Sequence, residues 1–191
     1  MLLTLPYNRE RAVLYARRWA LGRNPLFNDY SPYGGNCTNF ASQCLLAGCL
    51  VMNFEAVYGW FYRSDSDRAA AWTGVPFFYR FLIENQGEGP YAAESEMLEN
   101  GDFIQLGSNE GDFYHTLVVV GKEGDDYLVA ANSDDAFVRP LSSYTFDRAR
   151  YLHILGVRVN ADDGADYFRA LLEGASLPGA LSLAYVQDAL S

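Results

Sequence analysis

The feature that most constrains this chain is a change of hydrophobic period near its middle. Up to about residue 85 the apolar residues mostly recur at helical spacing; from residue 102 they alternate or form short β-branched runs. Ala12, Val13, Ala16, Trp19 and Ala20 mark one face of a helix over 8–21, with Asn8 as its N-cap and Gly22 as its stop. A second helix opens at Asn36 or Cys37 and stops at Gly48. Pro76 fits the first turn of a third, which runs to about Asn85. Residues 53–73 are rich in aromatics and give no clear period. Gly87 to Pro90 reads as a break. Residues 102–106, 115–121, 127–131 and 151–159 then read as strands, with a turn at Lys122 to Asp126 and a break at Arg139-Pro140. Short helices are expected over 165–173 and 180–190. Helices followed by an antiparallel meander predict an α+β fold. Residues 1–160 would form one domain, with 161–191 a helical extension packed on it.

Composition narrows the function classes. A chain of 191 residues can bury a real core without staples. Fourteen Lys and Arg against 24 Asp and Glu give a net charge of −10, which argues against a nucleic-acid or anionic-membrane partner. Arg9, Arg11, Arg17, Arg18 and Arg23 are the one dense basic cluster, and they read as the polar face of the first helix. No apolar run approaches the ~20 residues of a membrane helix. Met1 to Leu5 is apolar but ends at Pro6-Tyr7-Asn8-Arg9-Glu10, without the parts of a signal peptide, so the chain reads as cytoplasmic unless a signal was removed. Three cysteines make no disulfide framework. Their spacings, with only two histidines in the chain, fit no zinc pattern, so no metal site is expected.

Cys37 carries the chemistry. It follows Gly34-Gly35-Asn36 and opens a helix, where free N–H groups and the helix dipole favour thiolate over thiol and can hold an oxyanion. Its neighbours Asn36, Thr38 and Asn39 are polar, whereas Cys44 and Cys49 sit in apolar runs and read as buried small hydrophobes. A nucleophilic cysteine needs a base. His115 begins a strand after a polar loop; His153 lies mid-strand and reads as a packing or surface residue. If 115–121 and 127–133 form a hairpin, residue i pairs with about 248 − i, which brings Asn132, Ser133 and Asp134 beside His115. A one-residue slip would change which of them faces the imidazole. Asn132 is preferred, because an amide orients an imidazole without burying a charge; Asp134 is the alternative.

The segment Tyr33-Gly34-Gly35-Asn36-Cys37-Thr38-Asn39-Phe40-Ala41-Ser42-Gln43 resembles the bacterial putative amidase domain family, which looks like a branch of the papain-like cysteine hydrolases related to CHAP-type cell-wall amidases and peptidases. The similarity continues through Gly59-Trp60, Asp67-Arg68, Ala71 to Val75, Asn100 to Gln105, Tyr114-His115-Thr116 and Asn132-Ser133-Asp134, so it spans about residues 8–155. The resemblance implies a papain-like fold, with the nucleophile helix packed on a small antiparallel sheet. It implies amide hydrolysis by Cys37, His115 and Asn132 without a cofactor, on a peptide or amide substrate that could come from the cell wall. Acyl transfer by the same triad and a non-catalytic binding module of the same fold are the alternatives. Two positions depart from the family pattern: Asn36 stands where Asp is usual, and Asn132 where His is usual. Ser31 occupies the place of the papain oxyanion glutamine, which leaves Tyr30, Tyr33 or Asn36 as candidate donors. Trp60 and Trp72 would wall a substrate groove or belong to an aromatic core. Asp67 and Arg68 would pair with each other, or Arg68 would meet a substrate carboxylate.

Overall fold

The computed structural model describes residues 2–160. The expected helices at 165–173 and 180–190, and with them the extension 161–191, lie outside the described residues. The elements in order are β1 (Leu2–Leu5), α1 (Arg9–Trp19), α2 (Cys37–Cys49), β2 (Tyr62–Ser64), β3 (Asp67–Arg68), α3 (Ala70–Thr73), α4 (Val75–Glu84), β4 (Gly89–Glu94), β5 (Phe103–Gly107), β6 (Phe113–Glu123), β7 (Asp126–Ala131), β8 (Ala136–Pro140) and β9 (Arg148–Asn160). The fold is α+β. Its main sheet is antiparallel, in the order β1-β9-β5-β6-β7-β8, with β4 also paired to β9.

Local chemistry sets the helices that matter. Asn8 caps α1 by accepting from the Arg11 N–H at 3.0 Å. α2 is buried along nearly its whole length and packs between α1 and the sheet. Gly48 makes the close approach possible: a Cβ there would stand 2.2 Å from Cε2 of Tyr7 and 2.9 Å from the Asn8 carbonyl oxygen. The Asn8 N–H instead donates to the Gly48 carbonyl at 3.0 Å.

Alternation along the strands divides the sheet into two faces. One carries Phe103, Val118, Ala130 and Leu152 against Phe40, Leu45, Trp60, Trp72 and Phe78. The other carries Ile104, Leu106, Leu117, Val119, Val129 and Ala131, capped by Leu141 and Tyr144. The β6–β7 hairpin pairs Val118 with Ala130 and Val119 with Val129 before a bulge shifts the register. Both pairs obey the expected 248 − i. Extended to the open end of the hairpin, that register sets Thr116 across from Asn132 and His115 across from Ser133.

Candidate active site

Cys37 is the first residue of α2 and is 7% exposed. Asn36 precedes it as the N-cap residue, yet its side chain makes no capping bond, so the first-turn N–H groups have no side-chain cap. The Asn36 amide works backwards instead. Its oxygen accepts from the Tyr30 N–H at 3.1 Å and from Asn39 Nδ2 at 2.8 Å, and its Nδ2 donates to Asn132 Oδ1 at 2.5 Å. The Asn36 N–H donates to Ser133 Oγ. Gly35, at φ 134°, lets the chain pass that hydroxyl. Beneath the start of α2, Thr38 Oγ1 lies 2.9 Å from Thr116 Oγ1 and 3.8 Å from Cys37 Sγ.

Among the described contacts, none joins His115 to the sulfur. Thr116 faces α2, so alternation sends His115 to the opposite face, where its ring stands 6.0 Å from that of Tyr144. Among the described hydrogen bonds none reaches the imidazole. Burial lowers its pKa to about 4; the Asp134 carboxylate opposes that shift and the Arg139 guanidinium adds to it. The imidazole is therefore neutral at neutral pH.

Asn132 does not orient His115 either. It is 1% exposed, and all its polar atoms are engaged elsewhere: Oδ1 by Asn36, and Nδ2 by the carbonyls of Ala20 at 2.9 Å and Gly22 at 3.0 Å. Those carbonyls lie at the end of α1, so Asn132 ties that end to the start of α2. Asp134, the alternative, is paired with Arg139 at 3.1 Å and acts on His115 only through its charge.

Trp60 and Trp72 wall no groove. Both are fully buried and stack at 5.0 Å, because each indole N–H finds a partner on α2: Ser42 Oγ at 2.9 Å for Trp60 and Asn39 Oδ1 at 2.8 Å for Trp72. Tyr33 is exposed. The Tyr30 hydroxyl donates to Asp65 at 2.7 Å and the Ser31 hydroxyl to Asp29 at 2.6 Å. Asp67 pairs with Arg63, and Arg68 with Asp65, rather than with each other. A cleft of about 610 Å³ opens beside α4, between Tyr58, Phe77 and Arg80; Cys37, His115 and Asn132 do not line it.

Sequence reasoning missed a second polar centre. Asp102 heads the expected strand 102–106, yet it is fully buried and accepts four hydrogen bonds. Arg9 Nη1 (2.6 Å) and the Ile154 N–H (2.9 Å) meet one oxygen; His153 Nδ1 (2.7 Å) and the Glu99 N–H (2.8 Å) meet the other. His153, which reads in the sequence as a packing or surface residue, has this buried carboxylate as its partner. An acidic residue in an apolar stretch was the available signal, since such a group needs partners.

The family model described as "Putative amidase domain" matches residues 6–155. The chain belongs to this family. An uncharacterized protein of Bacillus subtilis (strain 168), YhbB, is 35% identical over 140 residues, which are 70% of this chain and 43% of that protein. The matched part thus spans less than half the length of that curated relative. No solved structure matches the chain.

Proposed function

We propose that this amidase-family chain cleaves an amide bond through Cys37. The observation that carries the reading is a thiol on the first residue of a helix whose N-terminal N–H groups have no side-chain cap. In this reading Cys37 Sγ attacks the amide carbonyl, and the carbonyl oxygen becomes an oxyanion held by those N–H groups. As the intermediate collapses the C–N bond breaks, the departing amine takes the proton that left the thiol, and a thioester remains on Cys37. Water then releases the acid; an amine acceptor in its place would make the reaction an acyl transfer. His115 is the proposed proton acceptor, supported by its neutral imidazole and by its place next to Thr116, which touches Thr38. Because His115 faces away from α2 at the start of β6, this reading requires the imidazole to turn round the strand end to the sulfur in the substrate complex. Asn132 supports the site from behind, by fixing Asn36. Antiparallel strands under a cysteine-bearing helix support a papain-like reading of the fold. A cell-wall peptide is the first donor to test.

One observation favours a second reading, a module that binds an amide-bearing ligand without turning it over: among the described contacts, Cys37 touches a hydroxyl and no imidazole or carboxylate. Hydrolysis of a panel of peptide and N-acyl amides separates the two. Cys37→Ala and His115→Ala are expected to lose activity by orders of magnitude, and His153→Ala to keep most of it. Full turnover by Cys37→Ala would overturn the nucleophile. Full turnover by His115→Ala would overturn the base alone.

A further inference from the structure

We propose that a buried relay from Arg150 through Gln105, Thr116 and Thr38 delivers a hydroxyl donor to the Cys37 sulfur. The inference deepens the reading of Cys37 as nucleophile and rests on it. Arg150 Nε and Nη2 both donate to Gln105 Oε1, at 2.8 and 2.5 Å. Gln105 Nε2 donates to the Val75 carbonyl at 2.9 Å and to Thr116 Oγ1 at 3.1 Å. A guanidinium only donates and a carbonyl only accepts, so the Gln105 amide has a single possible orientation.

Thr116 accepts from Gln105, and in the proposed relay its O–H donates to Thr38 Oγ1, 2.9 Å away. In the same relay the Thr38 O–H donates in turn to its other described partner, Cys37 Sγ, at 3.8 Å. Gln105 and Thr116 are 0% exposed and Thr38 is 1% exposed, so bulk water does not compete for these hydroxyls. At the far end the Arg150 guanidinium is held between the rings of Tyr79 and Phe113, 3.5 and 4.0 Å from their centroids. A donor aimed at sulfur stabilises thiolate over thiol. Thr38 touches the reacting atom; Thr116, Gln105 and Arg150 are positioning residues that set the direction of the donors.

The test is brief iodoacetamide labelling of Cys37 in the full chain, followed by mass spectrometry from pH 5 to 9. Thr38→Val keeps the shape and removes the donor. Labelling at pH 7 is expected to fall about tenfold, the low end for a hydrogen bond to a charged group, with the profile displaced to higher pH. Thr38→Ser is expected to restore both. Gln105→Glu keeps a partner for Arg150 but offers Thr116 an acceptor, which reverses the relay and slows labelling as Thr38→Val does. The Thr38 pair decides by itself should Gln105→Glu fail to fold. Wild-type rate and profile in folded Thr38→Val would overturn the relay. Wild-type Cys37 reacting no faster than a thiol in an unstructured peptide would overturn the nucleophile itself.

Discussion

Asp102→Asn tests whether the second polar centre holds the fold together. The substitution keeps shape and volume but replaces one acceptor oxygen with a donor. Each oxygen of Asp102 accepts from two donors at 2.6–2.9 Å, so either orientation of the amide strands a pair. One orientation abandons Arg9 and the Ile154 N–H, the other His153 and the Glu99 N–H. The site is fully buried on the carboxylate side, so water cannot replace the lost bonds. Breaking a buried pair from one side costs about 3–5 kcal/mol. For a chain of this size that is a fall in Tm of about 6–20 °C. Arg9 keeps Glu99 at 2.8 Å and the Ile154 carbonyl at 2.8 Å, which favours the lower part of that range. Urea unfolding followed by tryptophan fluorescence measures the cost directly, because Trp60 and Trp72 report the main core. The centre lies beside Tyr7 and the start of α1, at the end of α2 away from Cys37. Folded Asp102→Asn is therefore expected to label at Cys37 as wild type does. A loss of no more than about 0.5 kcal/mol, the range of ordinary surface substitutions, would refute the buried-hub reasoning.

Gly48→Ala adds a methyl that would overlap Tyr7, a ring already anchored by its hydroxyl on the Gly101 carbonyl at 3.1 Å; a loss of about 1–3 kcal/mol is expected, and a neutral or stabilising result in urea unfolding would refute the packing argument. His115 makes stability depend on pH: its folded pKa, about 4, lies below the unfolded value of about 6.5, so the unfolded chain binds more protons between them. That contribution is fully present above about pH 6.5 and is lost as pH falls toward 4, by about 1–3 kcal/mol after discounting for partial exposure. His115→Gln should flatten this part of a urea-midpoint profile, and an unchanged slope would count against the buried, neutral imidazole.

The sequence made local signals legible and left tertiary ones hidden. The Asn8 cap, the helix opening at Cys37 and the register pairing Val118 with Ala130 depend on neighbours close along the chain, and the structure has all three. The sequence reads as a break at β4 because Gly89 and Pro90 begin it; there they pair only with β9, some 70 residues on. β8 was hidden in the same way by Arg139-Pro140, with Pro140 at its end. The indole partners of Trp60 and Trp72 lie on α2, so no local pattern could separate a groove wall from a core.

The site shows the limit most clearly. A hairpin register places residues across from one another but leaves open which face a given side chain takes at the strand end. Thr116 took the face toward α2, so His115 took the other. Asn132, across from Thr116, met Asn36 instead of the imidazole. The structure makes Asn36 and Asn132 each other's partners. An amide donating to an amide is self-consistent in a way that changing either residue alone would not be. With Asn36 held by Asn132, its side chain is unavailable to cap α2, and the first N–H groups of that helix stay open beside the Cys37 sulfur. Asn36 and Asn132 thus act together on the start of α2, with no described contact between either side chain and the Cys37 thiol.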